Sequence, residues 1–205
     1  TMQYVLSIPE KLGRYTDDEL FELCSANPDL RIERNANYEL IFMSPTGFVT
    51  STYNSELVIA LGVWNKQRKS GLVSDSNGGY ILPNGAMRAP DVAWISREKL
   101  SHISKEAQKK FLPACPEFII ELRSETDKLK ELKAKMEEWI TNGTQLGWLI
   151  DPKKKQTHVY QPNTEVEIYD FDANVTGKNV LKGFTVNLTE LFELDEETDS
   201  SESEV

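Results

Sequence analysis

The chain has 205 residues, with 33 acidic against 23 basic side chains and a formal net charge of −10. That length suits one domain with a sizeable core, and no apolar run approaches the roughly 20 residues that a membrane-spanning helix needs. Cys24 and Cys115 lie far apart and outside any CxxC or metal-ligand spacing, which excludes a disulfide framework or zinc cluster and leaves reduced thiols.

The charge is uneven. From Glu193 to Val205 there are seven acids and no bases, and without them the net charge falls from −10 to −3. Residues 1–192 are therefore expected to form the folded domain and 193–205 an acidic disordered tail. Overall acidity argues against nucleic-acid binding through net charge alone, because phosphate contacts need local Lys and Arg. Bases do cluster, at Lys105, Lys109 and Lys110, at Lys128 to Lys135, and at Lys153 to Lys155. The N-terminus lacks the apolar segment of a signal peptide, so a soluble, cytoplasmic protein is expected.

In chain order, Thr16-Asp17-Asp18-Glu19 opens a helix as a capping box, and Asn27-Pro28 closes it. Strands follow at 30–34 and 38–43 around an Asn35-Ala36-Asn37 turn. A helix is expected from about 51 to 69, with Leu57, Leu61 and Trp64 on its buried face and Gly71 as its stop. Residues 72–74 and 79–82 read as a hairpin about Ser76-Asn77-Gly78-Gly79. A strand starts at Asp91, and a lysine-rich helix is expected over 97–114. The apolar strand 117–122 follows. The helix 127–142 carries the stripe Leu129, Leu132, Met136, Trp139 and Ile140. Further strands are expected at 146–150, 156–160, 165–169 and 180–184, with a helical turn at 188–192. A strand, a helix and another strand over 117–150 favour parallel pairing, whereas the hairpins demand antiparallel pairs. The expected fold is therefore α/β (α+β), a mixed sheet flanked by helices.

Two acids sit awkwardly on apolar strands: Asp91 in Ala89-Pro90-Asp91-Val92-Ala93-Trp94, and Glu121 in Phe118-Ile119-Ile120-Glu121-Leu122. Buried charge is costly unless it is paired or metal-bound. If the two strands are neighbours, the carboxylates converge, and a Mg²⁺ or Mn²⁺ ion between them would relieve their repulsion and activate water at a phosphoryl group. Arg123 shares the strand face of Glu121 but stays protonated and cannot serve as a base. Lys135 and Lys128 both lie on the edge of the helical stripe, where a lysine stem can follow the core and aim the amine at the strand. His102 and His158 are expected at the surface or within the sheet. Ser124 reads as a cap or turn residue, and the four tryptophans as core.

Pro90-Asp91 followed by Glu121-Leu122-Arg123 resembles the two-part signature of the PD-(D/E)XK nuclease superfamily, with Arg in the usual Lys place. The ordered series Ser44-Pro-Thr-Gly, Leu82-Pro-Asn-Gly-Ala, Arg88-Ala-Pro-Asp, Glu121-Leu-Arg-Ser, Lys135-Met-Glu-Glu-Trp, Asn142-Gly and Leu146-Gly-Trp-Leu-Ile-Asp-Pro is similar to the Uma-type restriction endonucleases over about 16–192. The resemblance implies a restriction-endonuclease-like core of four strands, with an N-terminal helix and hairpin and extra C-terminal strands. It implies Asp91 and Glu121 as metal ligands, Lys135 as the displaced catalytic lysine, and an N-terminal acid, best matched by Glu33 with Glu56 as competitor. Asn54 stands near a position where many members carry His. The implied activity is Mg²⁺-dependent hydrolysis of DNA by a homodimer. The alternative is an inactive nuclease-fold module that binds nucleic acid or protein.

Overall fold

A computed structural model describes residues 3–9 and 14–192. The acidic segment 193–205 lies outside the described residues. The first half of the chain forms β1 (Gln3–Leu6), α1 (Asp17–Ala26), β2 (Arg31–Arg34), β3 (Leu40–Met43), α2 (Phe48–Arg68), β4 (Gly71–Asp75), β5 (Tyr80–Ile81), β6 (Met87–Arg88) and β7 (Val92–Ser96). The second half forms α3 (Arg97–Ser101), β8 (Phe118–Leu122), α4 (Leu129–Thr141), β9 (Leu146–Asp151), β10 (Gln156–Tyr160), β11 (Glu167–Asp170), β12 (Asn174–Thr176), β13 (Thr185–Asn187) and α5 (Leu188–Leu191).

The main sheet has six strands in the order β11-β10-β9-β8-β7-β4, wider than the expected core of four. Among the described strands of this sheet, β8 and β9 alone pair in parallel, because α4 carries the chain back across the sheet between them. Every side chain of β8 is buried, as befits a strand covered on both faces. Val92, Trp94, Phe118, Ile120, Trp148 and Ile150 pack toward α2 and the C-terminal strands. Ala93, Ile119 and Leu149 pack toward α4, against Leu132, Met136 and Trp139. Trp139 and Trp148 are fully buried, and each contributes roughly 2–3 kcal/mol relative to an exposed ring.

A second sheet, β1-β3-β2-β6-β5, packs with α1 around Leu20, Ile32, Leu40 and Met87. The Thr16–Glu19 capping box forms as expected, and Asn27 caps the other end of α1. The turn between β5 and β6 docks on α4: the Asn84 backbone amide donates to Asn142 Oδ1 (2.9 Å), and Gly85 has φ +85°. A Cβ at Gly85 would meet the Tyr38 hydroxyl at 2.7 Å, so the turn needs glycine for both conformation and space.

Four sequence expectations are corrected. Residues 72–74 and 79–82 are not a hairpin: β4 pairs with β7 in the main sheet, and β5 pairs with β6 in the second. The turn after Asp75 forms, but Tyr80 passes to the other layer, tied back by its hydroxyl at 2.7 Å from Ser74 Oγ. Gly71 does not stop α2. Lys69 does, in the left-handed conformation, and Gly71 instead lets β4 press against Trp94, where a Cβ would come within 2.4 Å. The helix expected over 97–114 is only the five-residue α3 and a single 3₁₀ turn at 107–109. The Gln108 side-chain amide donates to the Leu100 and Ile103 carbonyls, freeing the chain to leave the helix. Residues 180–184 form a turn with Gly183 at φ +79°. Leu181 and Phe184 are core residues, but the pairing belongs to β12 and β13.

Candidate active site

Val92 pairs with Ile120 across antiparallel β7 and β8, and the same register carried one residue further sets Asp91 opposite Glu121. Pro90 delivers Asp91 to the start of β7. The Leu122 backbone amide donates to Asp91 Oδ2 at 2.7 Å, and Oδ1 makes no hydrogen bond among the described residues. Both acids line a cleft of about 440 Å³ together with Arg31, Asn54, Asp127 and Lys135.

Lys135 rises over this pair from α4, one turn before Trp139. Its ammonium lies 3.0 Å from Glu121 Oε1 and 3.2 Å from Oε2, and 3.1 Å from Glu33 Oε1. The Trp139 indole N–H donates to Glu121 Oε1 at 2.8 Å, so a residue expected only as core also orients the carboxylate. Glu33, on β2, is fully enclosed. It accepts from the Ala89 amide at 3.0 Å and from Arg88 Nη1 at 2.9 Å. Arg88 Nε in turn donates to Glu138 Oε2 at 2.6 Å, and Asn84 Nδ2 donates to Glu138 Oε1 at 3.0 Å. A continuous polar chain thus ties the second sheet to α4 and β8. Glu56, the competing N-terminal acid, takes no part in these bonds among the described residues.

These contacts split the carboxylates electrostatically. Burial opposes ionisation of Glu33, but Lys135, Arg88 and the Ala89 amide outweigh it and pull its pKa down to about 2. Burial dominates at Glu121; with the Asp91 and Glu33 charges it outweighs Lys135 and Trp139, and the pKa rises to about 7. Asp91 is also raised, chiefly by burial and in spite of the Leu122 amide. Burial works against the Lys135 ammonium, yet Glu121 and Glu33 hold its pKa above the ordinary lysine value. Asp91, Glu121, Glu33 and Glu138 outnumber Lys135 and Arg88 by two, an excess that one divalent cation would neutralise.

The donor set fits such a cation. Asp91 keeps an oxygen free of hydrogen bonds, and both Asp91 and Glu121 are oxygen ligands whose charge is only partly compensated. Among the described residues no group of three or more His, Cys, Asp or Glu could hold a metal. Two carboxylates would leave the remaining positions to water and substrate, as suits a small, strongly hydrated ion such as Mg²⁺.

Arg123 does not join the cluster. Its Nη1 contacts Asp151 Oδ1 and Oδ2 at 3.1 and 2.8 Å, neutralising a fully buried acid at the end of β9. Ser124 forms a turn, donating through Oγ to Asp127 Oδ2 at 2.7 Å. His158 is buried within β10 and exposed His102 caps α3. The sequence reading passed over Arg88, Glu138 and Asp127. Arg88 had a signal in its place before Ala-Pro-Asp, and Glu138 in its spacing of three from Lys135 on α4. Asp127 had none.

No curated protein sequence matches the chain. Its fold matches the crystal structure of a putative nuclease belonging to DUF820 from Anabaena variabilis with a TM-score of 0.71, at 23% identity over 87% of this chain and 98% of that one. The fold expected from the sequence, a mixed sheet flanked by helices in a nuclease-like arrangement, is thus the fold observed. No helix among the described residues is long and apolar enough to cross a membrane. The family model Uma2, described as putative restriction endonuclease, matches residues 17–189, so the chain belongs to the Uma2 family.

Proposed function

We propose that the protein is a divalent-metal-dependent endonuclease that hydrolyses DNA phosphodiester bonds. The observation that carries this reading is the pairing of Asp91 with Glu121 across β7 and β8 beneath the Lys135 ammonium, at the floor of an open cleft. Asp91 and Glu121 would hold Mg²⁺ or Mn²⁺. When bound, such an ion polarises a phosphoryl oxygen and lowers the pKa of coordinated water.

The remaining roles belong to the chain. Lys135 is held charged by Glu121 and Glu33, so it donates hydrogen bonds and stabilises negative charge developing on the phosphate; it does not abstract a proton. Glu33 is spent on Arg88, Ala89 and Lys135 and acts as a positioning residue. Trp139 fixes the Glu121 rotamer. Arg123 is spent on Asp151, and the ammonium beside Glu121 comes instead from Lys135 on the following helix, which weakens the case for an inactive module.

One such site addresses one strand, so cleavage of a duplex calls for two copies, and a homodimer belongs to this reading. Incubation of the protein with duplex DNA, single-stranded DNA and RNA in Mg²⁺ or Mn²⁺ tests it. DNA is expected to be cut, with Asp91→Asn and Glu121→Gln inactive. Full activity in those variants, or no cleavage of any substrate by the unaltered protein, would refute it.

A further inference from the structure

The floor of the cleft is accounted for by the paired acids and Lys135, but its walls are not. Two cations line it, Arg31 and Lys135. Lys135 is committed to Glu33 and Glu121. Arg31, at the start of β2, donates from Nη2 to the Ser76 carbonyl at 3.2 Å and makes no other hydrogen bond and no ion pair among the described residues. Other partly or fully buried arginines are spent: Arg34 on Asp17, Arg88 on Glu33 and Glu138, Arg123 on Asp151. Arg31 therefore stands apart, a guanidinium anchored at one corner of the cleft it lines, with its remaining donors unused among the described residues. Among the described residues that line the same cleft, Thr46 Oγ1 and Asn54 Oδ1 are buried without a hydrogen-bond partner, so the lining has further polar capacity.

We infer that Arg31 is the phosphate-positioning residue of this cleft, its guanidinium gripping a non-bridging oxygen of the substrate phosphodiester beside the Asp91–Glu121 floor. The planar fork of arginine matches phosphate geometry, and its anchoring on the Ser76 carbonyl limits the freedom lost on binding. The inference rests on the nuclease reading and adds the group that seats the phosphate.

The test is binding of a fluorescein-labelled DNA duplex in Ca²⁺, over a series of salt concentrations, by the unaltered protein, Arg31→Gln and Arg31→Lys. It is paired with cleavage in Mg²⁺ and with Mn²⁺ titration of each protein. Arg31→Gln is expected to weaken DNA binding by about 10- to 100-fold and to raise KM far more than it lowers kcat. It should also reduce the slope of log affinity against log salt by about 0.9, the signature of one lost phosphate contact on duplex DNA. Arg31→Lys should keep that slope, and both variants should bind Mn²⁺ as the unaltered protein does. An unchanged slope and KM in Arg31→Gln, while Asp91→Asn and Glu121→Gln abolish cleavage, would overturn this inference and leave the nuclease reading standing. Loss of Mn²⁺ binding in both Arg31 variants would assign Arg31 a structural role and also overturn it. If the unaltered protein neither binds nor cuts DNA, the nuclease reading falls and takes the inference with it.

Discussion

Glu33 and Glu121 are both buried, both glutamates, and both in contact with the same ammonium, yet they sit at opposite ends of the carboxylate range. Glu33 is held down to about 2 and Glu121 is pushed up to about 7. The difference lies in the neighbours. Both share Lys135, but Glu33 adds Arg88 and a backbone amide, whereas Glu121 adds only one indole N–H and faces a second acid across the strand. One end of the chain of contacts is a closed framework that fixes α4 to two sheets. The other end is left short of positive charge, which is what the proposed cation would supply.

The largest effect is expected where the two ends meet. Lys135→Met leaves two carboxylates buried without their shared ammonium. It should cost about 3–5 kcal/mol in a denaturant titration at neutral pH and lower any cleavage rate by at least about 10²-fold. Glu33→Gln comes next. It removes the anion facing Arg88 and Lys135 and should cost about 2–3 kcal/mol above pH 5 by the same titration. Because the folded pKa of Glu33 is depressed, its contribution is complete above the unfolded value near 4.5 and lost as pH falls toward about 2. The gap between this variant and the unaltered protein should therefore close on acidification.

Glu121→Gln should go the other way. A carboxyl whose folded pKa is raised favours the fold when neutral, and that contribution disappears as pH rises from the unfolded value near 4.5 through about 7. In the presence of a chelator the variant should match the unaltered protein near pH 5 and exceed it near pH 8, by on the order of 2 kcal/mol, while being inactive. A variant that is dead but more stable is the mark of an acid kept for chemistry. The smallest effect is expected at Lys128, whose pairing with Glu131 is exposed: Lys128→Ala should change stability by less than about 0.5 kcal/mol in thermal melts.

The sequence disclosed the parts of this contrast unequally. Asp91 and Glu121 stood out because charge on an apolar strand is anomalous; helical angle narrowed the lysine to Lys128 or Lys135, and only the family resemblance pointed to Lys135. The α4 stripe and the β8–α4–β9 crossover were legible because each rests on a local period. Arg88 and Glu138 were not legible as a pair: they lie 50 residues apart and meet only once the β5–β6 turn docks on α4. The hairpin misreading has the same origin. Turn residues at 76–79 announce a reversal, but nothing local says that the strands on either side enter different sheets. At 180–184 the apolar residues signalled burial correctly, and Gly183 at positive φ turned that burial into a loop and not a strand.

The most direct test is calorimetric titration of Mn²⁺ into chelator-treated protein near pH 7, repeated in two buffers of different ionisation enthalpy. The unaltered protein is expected to bind Mn²⁺ and to release protons as Glu121 ionises. Asp91→Asn and Glu121→Gln are expected to lose at least about 10²-fold in affinity, whereas Glu33→Gln keeps a site. Equal binding by the unaltered protein and Glu121→Gln, or no binding by the unaltered protein at millimolar Mn²⁺, would contradict the proposed cation site.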